Sequence, residues 1–442
     1  MWRQFVLTSL CVVALAGIAQ ANGRAPGTST INFRQGAEQH IAAGMTFGLL
    51  YSDDGGATWQ WSCEDAVGYG GMYDPDYAYT STGALFATTF DGVKVNRDGC
   101  TFAPTSLEPA PPAVKFFSVI AQGPDGAIYA AAADPMDAKI YKSTDNGMTF
   151  PVAAAAGQLN DWYQSLEVAP SNASVIYVSG YRIKAGQPKV FLLFKSTNGG
   201  ASYAPLPVTD FATMPNSTID IVGIDPANPN LVYARVTLED NSISDAIYRS
   251  TDGGQSWTRI LGKQASIAFL VRKTGELVAA TQAFGTVHST NTGTTWTDVA
   301  GAPHINCLAE NSAGEVWACT QNYGSPQVPS DDFGIMKSTN LTTWTGVVKY
   351  QDIQEPRPCA AGTPQKDQCD AVLWCGLCSQ LGCTANRDCA AAGDGGPGVD
   401  QTVVQKPPKG CCETGGEGVP GLLAIGIAVG MVMLRRPRRT RC

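Results

Sequence analysis

Charge and histidine are both scarce in this sequence, which limits the chemistry it can carry. Of its 442 residues only 15% are charged, and its three histidines, His40, His288 and His304, are too scattered to form a metal site or a catalytic triad. No GxSxG, Walker or HExxH pattern occurs. We therefore expect no metal ion, no cofactor and no familiar catalytic motif.

Basic residues are fewer still once the two ends are set aside. Arg3 and five arginines near the C-terminus account for six of the 30 Lys and Arg residues, so 24 basic residues oppose 38 acidic ones, a balance near −14. Binding to nucleic acid requires a basic stripe, so nucleic acid is not expected as a partner. The low charge, with abundant Gly, Ala, Ser and Thr, indicates a sheet-rich secreted protein.

The first residues have the form of a signal peptide. An apolar stretch from Phe5 to Ala19 follows Arg3 and ends at Ala19-Gln20-Ala21, a small-x-small cleavage site. We assign residues 1–21 to a signal peptide. An uncleaved membrane anchor is the alternative, and the short apolar stretch argues against it.

The other end resembles a membrane stop signal. Residues 419–434 are almost wholly apolar and five arginines follow at once, a pattern that predicts a transmembrane helix with its C-terminus in the cytoplasm. The stretch is slightly shorter than the ~20 residues of a comfortable span. Before it, residues 391–410 are rich in Gly, Ala and Pro without periodicity, which indicates a flexible linker.

A motif of the form Ser-x-Asp-x-Gly-x-Thr-aromatic recurs along the chain. Two copies are degenerate, Val95–Phe102 and the shortened Ser338–Trp344. The third position of the other copies and of the shortened one is occupied by Asp54, Asp145, Asn198, Asp252, Asn291 and Asn340. Short polar side chains can accept backbone N–H bonds across a tight turn, and Gly supplies a positive φ. We interpret these residues as structural.

The copies are about 48 residues apart, which is the length of four short strands and one propeller blade. The predicted fold is all-β, a seven-bladed β-propeller over residues 28–350, with Thr28–Phe33 a candidate to pair with the last blade and close the ring. If a degenerate copy does not mark a blade of its own, six or eight blades are the alternatives.

The repeat resembles that of the Asp-box (BNR-repeat) propellers, which include sialidases, sortilin-type receptors, xyloglucan-degrading glycosidases and photosystem II assembly factors. The resemblance implies the fold but hardly the function. Sialidases need three arginines around the axis, and this propeller has few. Enzymes of the xyloglucan-degrading type use two propellers that face each other across a cleft, and one propeller leaves that chemistry incomplete.

Ten cysteines lie between the two ends, an even number that suits an oxidising compartment. A hairpin turn near Ala313 would place Cys307 opposite Cys319, which predicts a disulfide. By elimination, Cys63 and Cys100 would join neighbouring blades.

Six cysteines follow the propeller within residues 358–390, which we predict to be a small disulfide-rich segment. Cys375-Gly376-Leu377-Cys378 is a CxxC, so zinc is an alternative, but no histidine is near. Three disulfides are favoured, with pairing left open among Cys359, Cys369, Cys375, Cys378, Cys383 and Cys389.

Residues 411–442 resemble the MYXO-CTERM sorting signal of myxobacterial surface proteins, in which a cysteine precedes a transmembrane helix and a basic end. The resemblance implies processing by a membrane protease and attachment at the outer surface through Cys411 or Cys412. A simple one-pass anchor is the alternative. Both place the propeller outside the cell.

Candidate binding residues come from the face of the propeller opposite the repeated turns, where the longer connections are expected. Exposed aromatic residues beside carboxylates would suit a carbohydrate or peptide groove, and for any single residue an ordinary solvated loop is the alternative. The candidates are Trp162, Tyr163, Tyr181, Arg182, Tyr323, Asp331 and Asp332.

These features predict a surface-anchored module that binds or scaffolds a glycan or protein, with no catalysis. One alternative is a surface glycoside hydrolase with an unrecognised pair of carboxylates. Another is an assembly factor for a complex of the cell envelope.

Overall fold

A computed structural model describes residues 24–70, 73–109, 115–239 and 244–383, together with Cys389. The predicted signal peptide, the linker, Cys411, Cys412 and the apolar stretch 419–434 lie outside these residues. Within the described ranges, no helix has the length and apolarity needed to cross a membrane.

The chain folds into seven sheets, each built around four consecutive antiparallel strands. Blade 1 contains β1 Thr28–Phe33, β2 Ile41–Met45, β3 Gly48–Ser52 and β4 Gln60–Ser62, and blade 2 contains β5 Tyr77–Tyr79, β6 Leu85–Thr89, β7 Gly92–Asn96 and β8 Phe102–Pro104. Blade 3 contains β9 Phe117–Gln122, β10 Ile128–Ala132, β11 Lys139–Ser143 and β12 Val152–Ala155, and blade 4 contains β13 Asp161–Val168, β14 Ile176–Arg182, β15 Val190–Ser196 and β16 Ala204–Pro205.

Blade 5 contains β17 Thr218–Ile224, β18 Val232–Thr237, β19 Ser244–Ser250 and β20 Thr258–Gln264, and blade 6 contains β21 Ile267–Val271, β22 Leu277–Thr281, β23 Gly285–Ser289 and β24 Thr297–Val299. Blade 7 contains β25 Cys307–Glu310, β26 Val316–Cys319, β27 Ile335–Ser338 and β28 Thr345–Val348. The first strand of each sheet contacts the first strands of its two neighbours, and the contact of β25 with β1 closes the ring. The predicted seven-bladed propeller is therefore confirmed.

Burial depends on the position of a strand within its blade. The second strands β2, β6, β10 and β22 are buried at every residue, whereas the outermost strand β20 has no buried residue. Blades stack face to face, so a second strand is covered on both sides and its sequence becomes continuously apolar instead of alternating. Each fully buried Leu, Ile or Phe side chain contributes roughly 1.5–3 kcal/mol.

The antiparallel order gives the ring two different faces. Connections between first and second strands and between third and fourth strands lie on one face, which we call the box face because it carries the repeated turns. Connections between second and third strands, and those between blades, lie on the other, which we call the loop face.

Each repeated turn is held by its own Ser and Asp side chains. In blade 1, the Ser52 hydroxyl donates to Asp54 (2.8 Å) and accepts from the Gly56 N–H (2.8 Å). The Asp54 carboxylate also accepts from the Thr58 N–H (2.9 Å) and hydroxyl (2.6 Å). Gly55 and Gly56 have φ values of 73° and 93°, which L side chains rarely adopt.

The bond from the backbone N–H four residues ahead recurs at Asp145, Asn198, Asp252 and Asn291. At the two Asn residues the side-chain bond is reversed, because the amide N–H donates to the hydroxyl. In the shortened copy, the Asn340 amide oxygen accepts from the N–H groups of Thr342 and Thr343. In the degenerate copy of blade 2, Asp98 takes this role and accepts from the N–H groups of Cys100 and Thr101, both at 2.8 Å. The motif does not identify Asp98, because in this copy Asp98 occupies the fourth position and Arg97 the third.

The expectation that Thr28–Phe33 pairs with the last blade is wrong. This strand is β1 and pairs with β2 as the innermost strand of blade 1. Its link to blade 7 is through side chains, since the Thr28 hydroxyl donates to the Gly334 carbonyl (3.0 Å) and contacts the Tyr350 hydroxyl (2.8 Å). Blade 7 already has four strands of its own, so no gap is left for an exchanged strand.

The ring is instead fastened by residues 350–383 with Cys389, which we call the clasp. It contains a 3-10 turn Tyr350–Asp352, the short strand β29 Glu355–Pro356, a π-helix Gln365–Leu373 and an α-helix Trp374–Leu381. β29 runs parallel to β4 at the outer edge of blade 1, where Pro356 is tolerated because an edge strand needs fewer N–H donors. The Trp374 ring packs 5.7 Å from that of Trp61.

Two disulfides join the clasp to the propeller. Cys63, just before the short helix Glu64–Val67 of blade 1, pairs with Cys369, and Cys100 in the turn of blade 2 pairs with Cys359. The predicted Cys63–Cys100 bridge is therefore wrong. Pairing by elimination took account of the propeller cysteines only. After the propeller the chain returns to blade 1 and places Cys369 and Cys359 against Cys63 and Cys100.

The remaining cysteines divide into two bonded pairs and two thiols. Cys307 and Cys319 are directly opposite in β25 and β26 and form the disulfide that the hairpin predicts. Within the six-cysteine segment one internal disulfide is present, Cys375–Cys389, so the expectation of three is wrong. Cys378 and Cys383 are free thiols. Among the described residues no group of three or more His, Cys, Asp or Glu could hold a metal ion.

Candidate functional site

A polar cavity of about 430 Å³ lies where β9 and β13 line the inside of the ring. We call it the channel site. Its polar lining is Asp76, Ser118, Gln122, Gln164, Ser165 and Glu167. A cavity of this size falls within the usual range for small-ligand sites.

The strand geometry explains why these side chains meet. β9 and β13 are first strands of adjacent blades and contact each other, so their inward-facing residues border the axis of the ring. Glu167 stands between the buried Leu166 and Val168, as expected when alternate residues of a strand face opposite sides. Asp76 comes from the residue before β5 and reaches β9, where it accepts from the Ile120 N–H at 3.0 Å.

A second hollow, about 390 Å³, shares Ile120, Ala121 and Gln122 with the channel site. It also contains Gln35 and Glu38, which lie in the connection between β1 and β2 and hence on the box face. The channel site is therefore continuous with an opening on the box face. The sequence-based expectation looked to the loop face for the site.

The two carboxylates of the channel site have different surroundings. Each oxygen of Asp76 accepts one backbone N–H, from Tyr77 and from Ile120, both at 3.0 Å. Glu167 has neither a hydrogen bond nor an ion pair with any residue that the structure describes. The buried amide oxygen of Gln164 also lacks a hydrogen-bond partner among the described residues, whereas Glu167 is only half-buried.

Burial shifts the titration of both groups. It raises the pKa of Asp76 to about 6, although the N–H groups of Ile120 and Tyr77 act in the opposite direction. Burial also raises the pKa of Glu167 to about 7, and the negative charge of Asp76 adds to the increase. Glu167 therefore holds its proton to a higher pH than Asp76 does.

Other acidic groups near the channel already have hydrogen-bond or ion-pair partners. In the second hollow, Glu310 forms an ion pair with Arg272 at 2.9 Å, and Glu38 accepts from the N–H and hydroxyl of Ser312. In β17, Asp220 pairs with Arg235 at 3.0 Å. Glu167 differs from all three because no cation or donor occupies its oxygens.

The pKa values of Asp residues in the box turns are lowered, in contrast to those of Asp76 and Glu167. Hydrogen bonds from Ser256, Ser250 and backbone N–H groups lower the pKa of Asp252 to about 2, and similar bonds lower the pKa of Asp145 well below its usual range. These carboxylates are ionised and their oxygens are committed to the turn. This arrangement suits a structural role.

The predicted binding residues of blade 4 are largely buried or paired with other residues of the fold. Trp162, Tyr163 and Tyr181 are buried, so the expectation that these rings are exposed is wrong. The Tyr163 hydroxyl donates to the Ala138 carbonyl at 2.8 Å. Arg182 makes two bonds to the buried carboxylate of Asp161, at 2.5 and 2.9 Å.

The predicted residues of blade 7 form a separate group three blades away. Tyr323 donates to the Leu381 carbonyl of the clasp at 2.7 Å. Asp331 accepts from the N–H groups of His304 and Gln321, at 3.1 and 2.9 Å, whereas Asp332 is exposed. The structure does not bring the two groups together, and their role in binding stays a prediction.

Sequence reasoning missed Asp76, Gln164 and Glu167. A signal was present for two of them, because Gln164 and Glu167 are polar residues next to the apolar Tyr163, Leu166 and Val168 in a strand that begins a blade. Asp76 gave no such signal, since it precedes a strand of only three residues.

No family model matches the chain. A stretch of 142 residues, 31% of this chain, is 30% identical to a xyloglucanase from Paenibacillus sp. and covers 13% of that enzyme.

Two solved structures share the shape at low sequence identity. The extracellular domain of a one component system from B. thetaiotaomicron is 13% identical, with a TM-score of 0.48 over 72% of this chain and 39% of that one. An ancestral GH74 enzyme is 15% identical, with a TM-score of 0.46 over 67% of this chain and 44% of that one. The chain spans less than half the length of each of these proteins.

Proposed function

We propose that the protein is an exported Asp-box propeller, attached to the cell surface, that binds a glycan in its channel site. The observation that carries this proposal is the unsatisfied polar lining of the cavity. The buried Gln164 amide oxygen has no hydrogen-bond partner among the described residues, and the half-buried Glu167 beside it makes no described hydrogen bond. A sugar presents several hydroxyl groups that can donate to such acceptors and accept from the Gln amides.

The position of the site also suits a chain-like ligand. The cavity is continuous with the hollow that opens on the box face, so one end of a glycan could enter while the remainder stays outside. The lining strands belong to a closed ring, and a rigid site loses little free energy to ordering when a ligand binds.

Export is supported by the cysteines of the folded part. Four disulfides are present, two of which fasten the clasp, and such bonds persist in oxidising compartments. The signal peptide 1–21, processing of the tail 411–442 and attachment through Cys411 or Cys412 belong to the same proposal.

The test is calorimetric titration of the purified protein with oligosaccharides. Xyloglucan fragments come first because of the partial similarity to a xyloglucanase, followed by cello- and chito-oligosaccharides. We expect saturable binding that Gln164→Ala weakens by roughly 5- to 10-fold, the effect of about one lost hydrogen bond.

Gln255→Ala is the matched control, since Gln255 is exposed in the turn of blade 5, outside the channel lining. It should leave the affinity unchanged. Absence of binding across the panel, or equal losses in both variants, would contradict the proposal.

A further inference from the structure

Exposed apolar side chains are concentrated on the loop face of the ring. Among the described residues seven large apolar side chains are exposed, and five of them lie in or at the end of loop-face connections: Phe90, Met136, Leu159, Val190 and Phe284. None of the five lines the channel site or the second hollow. Single apolar residues are common on protein surfaces, but a set gathered on one face indicates an interaction surface.

Three of these side chains stand on neighbouring connections that are bonded to one another. Beside Leu159, the Asn160 N–H donates to the Pro135 carbonyl at 2.8 Å, directly before Met136. The Asn160 carbonyl in turn accepts an N–H at 3.4 Å from the connection that ends at Val190. The tips that carry Met136, Leu159 and Val190 are thus held side by side over blades 3 and 4, and we call these three residues the apolar ridge.

Blade 1 shows how such a residue is placed when it is covered. Phe47 lies in the connection between β2 and β3, as Phe90 lies between β6 and β7, but Phe47 is 6% exposed whereas Phe90 is 45% exposed. Phe47 packs against Tyr350 of the clasp, with ring centroids 5.4 Å apart. The clasp therefore covers the loop face at blade 1, and the apolar ridge lies on a part that the clasp leaves open.

The charges beside the apolar ridge favour an anionic partner. The acidic side chains of these connections each have a partner within the protein, namely Asp134 with the Met136 N–H (2.7 Å), Asp137 with Lys115 and Asp161 with Arg182. By contrast, Lys139 is exposed and Lys184 is half-buried, and neither has an ion-pair partner among the described residues. Projecting apolar side chains together with surplus positive charge are the combination that binds an anionic lipid surface.

The position of the clasp gives an independent reason to expect a lipid surface. Tyr323, in the loop-face connection of blade 7, donates to the Leu381 carbonyl, so the chain passes from the loop face into its tail. Residues 390–418, 29 in number, separate Cys389 from the apolar stretch that begins at residue 419. A fully extended tether of this length spans at most about 100 Å. It would keep the loop face at a high local concentration beside the membrane that holds the tail, so weak contacts are sufficient.

We propose that the loop face rests on this membrane, with the apolar ridge inserted among the lipid headgroups and Lys139 and Lys184 paired with anionic lipid. The inference rests on the surface attachment that is part of the proposed function. Side chains on separate tips suit a fluid bilayer, whereas a folded protein partner requires a complementary shape. The box face, on which the channel site opens, then points away from the membrane and towards the glycan.

Two methionines of blade 3 provide the test, because Met136 on the loop face is 77% exposed and Met148 in the box turn is 67% exposed. The purified full chain is incorporated into vesicles of phosphatidylglycerol and phosphatidylethanolamine, floated on a density gradient to show attachment, and treated with dilute hydrogen peroxide. Mass spectrometry measures the rate at which each methionine becomes its sulfoxide. We expect Met136 to be oxidised roughly 5-fold or more slowly than Met148, because its side chain is covered by lipid.

Reversal of one charge beside the ridge tests the role of anionic lipid. Lys139→Glu should weaken the membrane contact by roughly 10-fold and bring the two oxidation rates together. Lys273→Glu is the matched control, since Lys273 is exposed in the connection between β21 and β22 on the box face. This control should leave Met136 protected.

The outcomes separate this inference from the proposed function. Equal oxidation of Met136 and Met148 in the floated protein, or protection that persists in Lys139→Glu, would overturn the inference and leave the proposed function intact. Protection of Met136 in native membranes but not in vesicles that hold no other protein would assign the loop face to a protein partner and overturn it as well. A full chain that does not float would contradict the surface attachment, and this inference with it, whereas glycan binding is measured separately by calorimetry.

Discussion

At the scale of single residues, Glu167 makes stability depend on pH. Its pKa rises from an ordinary value near 4.5 to about 7 on folding. A raised folded pKa means that the folded state binds the extra proton, so its contribution to stability is complete below about pH 4.5 and is lost as the pH rises through 7.

We therefore expect Glu167→Gln to have the same melting temperature as the unaltered protein near pH 4.5 and a higher one at pH 8. Thermal melts across this range measure the difference, with Asp298→Asn, exposed on the outer strand of blade 6, as a control that follows the unaltered curve. Parallel curves for the unaltered protein and Glu167→Gln would contradict the account. The pKa of Asp76 is also raised, so the stability of all three samples shares the pH dependence that Asp76 causes.

The two thiols of the clasp give a second residue-scale prediction. The Cys383 N–H donates to the Cys378 carbonyl at 2.9 Å, and the Cys383 thiol is hydrogen-bonded to the Cys378 side chain. This proximity would permit a fifth disulfide by thiol–disulfide exchange with a disulfide oxidant in the exporting compartment.

We expect the peptide containing Cys378 and Cys383 to escape alkylation when the exported protein is denatured without reductant, and to be alkylated twice after reduction. Mass spectrometry distinguishes the two states. The Cys375–Cys389 peptide is an internal control for oxidation. Alkylation of both thiols before reduction would rule out the fifth bond.

At the scale of elements, the box turns show that the acceptor oxygen matters more than the charge. Asn198 forms the bonds of an Asp, and its amide N–H group donates to the Ser202 hydroxyl at 2.8 Å. The Ser hydroxyl simply reverses its role from donor to acceptor.

Asp252→Asn should therefore cost less than about 1 kcal/mol, whereas Asp252→Ala, which removes bonds from Ser250, Gln255 and Ser256, should cost about 1–2 kcal/mol. Urea denaturation measures both. An equal loss in the two variants would mean that the charge, and not the acceptor, holds the turn.

The turns also explain how much of the fold could be predicted. Ser, Asp and Gly at fixed spacing describe a local structure, so its recurrence predicts the number and length of the blades. Asp98 escaped because it stands one position later in its copy and accepts from the N–H groups two and three residues ahead, whereas Asp54 accepts from the N–H four residues ahead. The channel site depends on which residues of separate blades meet at the axis, and a local pattern cannot determine that contact.

At the scale of the whole molecule, the clasp decides how firmly the ring is closed. Cys63–Cys369 and Cys100–Cys359 join positions separated by 306 and 259 residues, whereas Cys307–Cys319 spans 12. Disulfides that close longer loops restrict the unfolded chain more, by about 5 kcal/mol against about 3 kcal/mol for a short loop. The sequence spacing could not predict these partners because they depend on the return of the chain to blade 1.

The pair Cys63→Ser with Cys369→Ser should therefore lower stability more than Cys307→Ser with Cys319→Ser. In the first variant, hydrogen exchange should increase at β1 and β28, on the two sides of the closure, before it does in blade 4. Denaturation and hydrogen exchange measure both effects. A uniform increase around the ring would show that the clasp does not fasten this junction.

The parallel pairing of β29 with β4 has a consequence for the order of assembly. A chain that crosses a membrane from its N-terminus delivers blade 1 first and the clasp last, so the earliest blade must wait for residues made some three hundred positions later. Until then blade 1 lacks its cover, and Trp61 has no Trp374 to pack against. The ring can therefore be completed only after the whole propeller and the clasp have crossed the membrane. A truncated chain would remain open and accessible to proteases.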